Sequence, residues 1–383
     1  MTKCRPRIYA FTFIKRYFAL GILFYLCCKM GKLSEFLNLK DQDECWLVSK
    51  TRGCLNKKQP SATHVAFLKV HKTGSTVVQG IFLRYGLNRN LTFVVPNNKS
   101  WFPNIISINE SVIPGYNIIS PPKNKTFDIL CFHVVYNRSA IQSIMPKDTK
   151  YIGIIREPFL QFESTIRYFN FGKNQYGNRH FISNFFRNYN FFKKVENNPA
   201  VFSFLNNRMS FEFGFPSHLF DSFDLKDVKQ YLEKLKNEFD LVIINEYMDE
   251  SIILLRRMLN WNVKDVLFVN VNVNRKRHYL DHTKLKNISL YRRYAKLDYE
   301  LYNFFIKRLW RQIRACGDDI IEEISYFKLL RKSLEKFCKS KGKSFLKVEP
   351  TSWSSSFSVT KDYCLVMKWR EILYLTRIKE QQY

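Results

Sequence analysis

Acidic residues are in short supply: 33 Asp and Glu stand against 62 Lys and Arg, a formal charge of +29. An excess of that size calls for an anionic partner (nucleotide, acidic glycan, lipid headgroup or nucleic acid) or forms a solvated basic surface, and charge alone does not choose between them. The nine cysteines include no C-x-x-C pair, and no His/Cys cluster has zinc-site spacing, so a metal site is not expected. No internal repeat is visible. What is present suits a globular protein: 46% hydrophobic and 16% aromatic residues in 383, enough for one large domain or two modest ones.

A long apolar run is also lacking. Tyr17 to Cys28 (YFALGILFYLCC) is shorter than the roughly 20 residues of a bilayer span. It lengthens only by starting from Ile8, which makes Lys15 and Arg16 snorkel to the interface. No small-residue cleavage site follows, so an uncleaved signal anchor is preferred to a signal peptide. Basic residues lie mainly before the segment, which predicts a cytosolic N-terminus and a lumenal body. The expected division is a cytosolic tail (1–16), anchor (17–30), stem (31–62), catalytic domain (63–335) and C-terminal extension packing on it (336–383). N-x-[ST] sequons at Asn90, Asn98, Asn109, Asn124, Asn137 and Asn287 agree with a lumenal body. So do the six cysteines beyond the anchor, for which Cys45–Cys54 and Cys338–Cys364 are plausible local pairs among 15 connectivities.

Short apolar strands alternate with helices. His64–Val70, Phe127–Phe132, Tyr151–Ile155 and Leu241–Ile244 read as strands, and the stretches after the first, third and fourth read as helices. That order predicts an α/β fold with a mainly parallel, doubly wound sheet flanked by helices. Residues 171–200 carry no clear period and read as an insertion or lid. Leu290 to Ile313 reads as one long helix with an aromatic core stripe.

Two constellations carry chemistry. In the first, the strand ending at Val70 runs into His71-Lys72-Thr73-Gly74-Ser75-Thr76 and then a helix, an arrangement of backbone N–H groups that cradles an anion. It is not a Walker A loop: Lys72 precedes Gly74, and the strand holds no earlier Gly. The shortened loop suits one phosphate carrying a sulfuryl group better than a triphosphate with magnesium. Lys72 would neutralise charge on the bridging oxygen, while Ser75 and Thr76 would donate to the 5′-phosphate. The second is Ile154-Ile-Arg-Glu-Pro, with Arg156 at a strand's C-terminal end and Ser164 about two turns into the following helix. Together they would hold a second phosphate.

The two motifs resemble the 5′-phosphosulfate loop and 3′-phosphate site of Golgi carbohydrate sulfotransferases, closest to the galactose-3-O-sulfotransferase (galactosylceramide sulfotransferase) family. Asp128–Asn137, Asn207–Gly214, Phe239–Arg257 and Asp298–Tyr302 extend the resemblance over most of the body. It implies a P-loop-like sulfotransferase fold and 3′-phosphoadenosine 5′-phosphosulfate (PAPS) as co-substrate, with His71, Lys72, Thr73, Gly74, Ser75, Thr76, Arg156 and Ser164 as the donor site. It also implies a Golgi membrane setting and a terminal galactose of a glycolipid or glycan as acceptor. The family shows two histidines after the Cys of the Asp128 segment, where this chain has Phe132 and His133.

Sulfuryl transfer needs a group that takes the acceptor's proton, and a neutral His suits it. His133 is the first candidate for this base. A structural or acceptor-positioning role for it, or a base at His71, Glu163 or another carboxylate, are the alternatives. Arg275-Lys-Arg277 either closes over the nucleotide or is a solvated loop. Two other functions fit part of the pattern. One is a glycosaminoglycan O-sulfotransferase acting on uronic acid or hexosamine; the other is an inactive lumenal protein that binds anionic glycans.

Overall fold

Four short strands carry the site on their C-terminal ends. The computed structural model describes residues 60–97, 103–170, 182, 185–187, 203–270, 282–342 and 344–383, all in one compact unit, Thr51–Tyr383. The expected anchor, the Cys45–Cys54 pair, Arg275–Arg277 and nearly all of the 171–200 insertion lie outside them. No helix among the described residues is long and apolar enough to cross a membrane.

Strand β1 (Val65–Leu68) leads to helix α1 (Ser75–Leu87), β2 (Ile129–Leu130), α2 (Arg138–Gln142), β3 (Lys150–Ile155) and α3 (Pro158–Phe169). Three helices, α4 (Arg208–Glu212), α5 (His218–Asp221) and α6 (Leu225–Glu238), precede β4 (Leu241–Ile244) and α7 (Met248–Leu259). The strands form one parallel sheet in the order β2-β1-β3-β4, with Phe67 opposite Ile152 and Ile154 opposite Ile243. All residues of β1, β2 and β4 are buried, the continuous apolar pattern of a sheet covered on both faces. The strand order reverses at β1, and the crevice at such a point, beyond the strands' C-terminal ends, is where open α/β sheets bind ligands.

The second strand is shorter than expected because its carbonyls leave the ladder. Cys131 C=O accepts from Gln79 Nε2 at 2.9 Å, and His133 C=O accepts from the N–H groups of Ile106 and Ser107, both at 3.1 Å. The expected helix from Leu290 to Ile313 is two helices, α8 (His282–Tyr294) and α9 (Lys296–Ala315), broken at Ala295. A new helix start leaves its first N–H groups without intrahelical partners. Here Asn207 Oδ1 accepts from the N–H of Asp298 at 3.1 Å, so a side chain far away in sequence serves as the cap that α9 lacks locally.

Helix α10 (Asp319–Lys339) is bound to α7 by charge: Arg257 Nε meets Glu323 at 2.6 Å in full burial, and Lys328 meets Glu250 at 2.6 Å. The C-terminal extension then forms a hairpin, β5 (Phe345–Val348) with β6 (Phe357–Thr360), followed by α11 (Lys361–Val366) and α12 (Glu371–Gln382). As expected, Cys338 and Cys364 are disulfide-bonded, with Cα atoms 5.6 Å apart, tying the end of α10 to α11. Cys131 is a free, buried thiol whose pKa burial pushes up, an inert side chain rather than a nucleophile.

Candidate active site

The turn after β1 is shaped by its own hydroxyls. Thr73 Oγ1 and Ser75 Oγ both donate to the carbonyl of Val70, at 3.0 and 2.7 Å. This folds the loop back on itself and aims the start of α1 at the crevice. The proton of Ser75 is therefore engaged inside the loop, whereas Thr76 is exposed at the helix start. Gly74 holds φ +81° and makes no side-chain cap, so the first N–H groups of α1 are left for an external anion. A Cβ at Gly74 would lie 2.1 Å from Asn245 Nδ2, and that amide donates to Thr73 C=O at 2.7 Å. Only glycine fits there, on both conformational and steric grounds.

Lys72 also adopts a left-handed φ of 62°, which a non-glycine residue holds only when its surroundings enforce it. Its Nζ rests 3.5 Å from the ring centre of Tyr168, a cation over an aromatic face. Burial, with Arg156 and Lys69 nearby, lowers its pKa to about 8. Arg156 follows β3 as expected and donates from Nη1 to the Lys72 carbonyl at 3.2 Å, joining the two motifs directly. Its Nε is buried with no hydrogen-bond acceptor, and the nearest carboxylate, Glu246, stands 4.0 Å away. A guanidinium left short of acceptors at a strand end is prepared for an anion. Ser164 lies half-buried on α3, the helix that follows Arg156, and Glu163 lies beside it.

The two histidines come together. The rings of His71 and His133 stack with centroids 3.8 Å apart and planes 22° from parallel. His133 Nδ1 lies 2.8 Å from the Lys69 carbonyl, which can only accept, so Nδ1 carries the proton and Nε2 the lone pair. His71 Nδ1 bonds Glu212, whose other oxygen accepts from the His71 N–H at 2.8 Å. Arg208 donates to the same carboxylate at 3.2 Å. Arg208 and His71 hold the Glu212 pKa down against full burial, so it is ionised and His71 too donates from Nδ1. Desolvation depresses both histidines, His133 well below its ordinary value, and the neighbouring His71 imidazole and Lys69 ammonium disfavour its protonation further. Both rings are therefore neutral at physiological pH.

Donor atoms of His71, His133 and Glu212 lie within 4.8 Å of one another. Ring lone pairs lie in the ring planes, and two stacked planes do not aim theirs at a common point. The group reads as a proton-handling pair rather than a ligand set.

Glu212 was not among the residues singled out as functional, although it lies in the quoted Asn207–Gly214 segment. Asp298, from another quoted segment, explains how it is held. Its carboxylate accepts from the N–H and hydroxyl of Ser210, both at 2.7 Å, and from the N–H of Met209 at 3.3 Å, fixing the helix that ends in Glu212.

A sequence model of the galactose-3-O-sulfotransferase family matches residues 7–349. The chain is 28% identical over 293 residues to galactose-3-O-sulfotransferase 2 of Mus musculus, covering 73% of this chain and 71% of that protein. It is 27% identical over 339 residues to the Homo sapiens enzyme of the same name, covering 86% and 80%. To Homo sapiens galactosylceramide sulfotransferase it is 27% identical over 280 residues, covering 70% and 62%. With the phosphate-type loop, the arginine that meets it and the paired histidines all inside the matched span, the chain belongs to the galactose-3-O-sulfotransferase family.

Proposed function

We propose that this protein transfers a sulfuryl group from PAPS to the 3-hydroxyl of a galactose at the end of a glycolipid or glycoprotein glycan. The observation that carries the reading is the meeting of Lys72, Arg156 and the His71–His133 stack at one edge of the parallel sheet. The N-terminus of α1 and Lys72 would hold the 5′-phosphosulfate, and Arg156, whose buried Nε lacks an acceptor, would take the 3′-phosphate with Ser164. Transfer breaks the bond from sulfur to the bridging oxygen, leaving adenosine 3′,5′-bisphosphate, and forms a bond from sulfur to the acceptor oxygen. The acceptor proton goes to an imidazole Nε2. His71 is the better recipient, since Glu212 stabilises the imidazolium as it forms, and His133 beside it orients the hydroxyl. Lys72 offsets charge on the departing oxygen.

The setting proposed is the Golgi membrane, with the catalytic body lumenal behind an N-terminal anchor. The test is incubation of the full chain with labelled PAPS and a panel of β-galactosides, galactolipid, and uronate and hexosamine polymers. Label on galactose acceptors supports the reading; label confined to the polymers favours a glycosaminoglycan sulfotransferase, and binding without transfer favours an inactive lectin-like protein.

A further inference from the structure

Three segments that hold His133 converge on a carboxylate that comes from the far end of the chain. Glu371 opens α12, beyond residue 349 where the family match ends. It accepts from three side chains: Lys69 Nζ at 2.5 Å and Gln79 Nε2 at 2.7 Å through one oxygen, and Asn104 Nδ2 at 2.9 Å through the other. Each belongs to a segment that holds His133. Lys69 supplies the carbonyl that fixes the His133 ring at Nδ1. Gln79 also grips the carbonyl of Cys131, two residues before it. Asn104 precedes Ile105–Ser107, the stretch that bridges to His133 and binds its carbonyl.

Lys69 is only 1% exposed, so its ammonium depends on a counter-charge at that spot. The carboxylate is thus the common partner of all three supports of one active-site imidazole. We infer that Glu371 is a positioning residue for His133, supplied by a C-terminal segment outside the family match. The inference rests on the reading of His133 as an acceptor-side residue of a sulfotransferase. Its physical content is separate: Glu371 sets the place and tautomer of that ring.

Glu371→Gln keeps the shape but removes the charge and one set of acceptor lone pairs. In the full chain, kcat/KM for a β-galactoside should fall about tenfold, with affinity for adenosine 3′,5′-bisphosphate within about twofold. The loss should disappear in a His133→Ala background, because a residue acting through His133 has nothing left to position. ¹⁵N spectra of the imidazoles should show His133 as a single Nδ1–H tautomer in the parent and a mixture in Glu371→Gln. Asn104→Ala, which leaves the buried ion pair intact, should give the same signature at about threefold, and decides the matter if Glu371→Gln does not fold. An equal loss with and without His133, or an unchanged His133 tautomer, would overturn the inference. A parent enzyme that transfers no sulfuryl group would instead overturn the functional reading, while the tautomer measurement would still decide the role of Glu371.

Discussion

Lys72 and Arg156 touch, yet they should fail differently when removed. In the proposed reaction Lys72 acts on charge that develops during transfer, so Lys72→Ala should lower kcat by about 100-fold or more with nucleotide affinity largely kept. In the same proposal Arg156 would meet a phosphate alike in ground and transition states, so Arg156→Ala should mainly weaken nucleotide binding. Steady-state kinetics with a binding isotherm for adenosine 3′,5′-bisphosphate separates the two. The lowered pKa of Lys72, about 8, adds a pH test. The lysine is charged below that value and loses its proton above it, so donor kcat/KM should fall about tenfold per unit as pH rises past 8. In Lys72→Arg that limb should vanish, since a guanidinium keeps its charge. If His71 takes the acceptor proton as proposed, Glu212→Gln removes the partner of the imidazolium that would form and should cost about 100-fold in kcat. His133→Ala should cost less and fall mainly on the acceptor KM.

The elements place these residues through contacts between distant segments. Asp298 at the start of α9 holds α4, and α4 holds Glu212 against His71. Burial raises the Asp298 pKa to about 6 despite three hydrogen bonds, so it is ionised at neutral pH. Ser210→Ala removes one of those bonds and should cost about 1 kcal/mol in denaturant unfolding; no change in midpoint would contradict the link. Much of this architecture was legible in the sequence. The β4 segment was read to the residue, β1 and β3 within two, because buried parallel strands announce themselves as short apolar runs. The loop after β1 and Arg156 were legible because each follows its strand directly. The break at Ala295 was not, since the helical period continues across it and the cap comes from Asn207. Nor was Glu371, whose three partners lie about 270 to 300 residues earlier, a relation no local pattern encodes.

At the scale of the whole molecule, the charge of +29 and the sequons concern the compartment and the partners rather than the fold. Asn90, Asn109, Asn124 and Asn137 are exposed and Asn287 is half-buried, so the surface offers several acceptor sites to a glycosylating compartment. Protein made in cells should shift to higher mobility after glycosidase treatment, and a glycan-free product would contradict the lumenal orientation. The basic surface would favour approach of anionic glycans or membranes without setting which hydroxyl reacts; in the proposed function that choice falls to the residues around Lys72 and the histidines. The measurement that tests the central claim most directly is the position of sulfate on a β-galactoside product, read by NMR from the downfield shift of the proton beside the new ester. The account predicts a single product sulfated at O3 of galactose. Sulfate at O6, or on a uronate or hexosamine with galactose untouched, would contradict it.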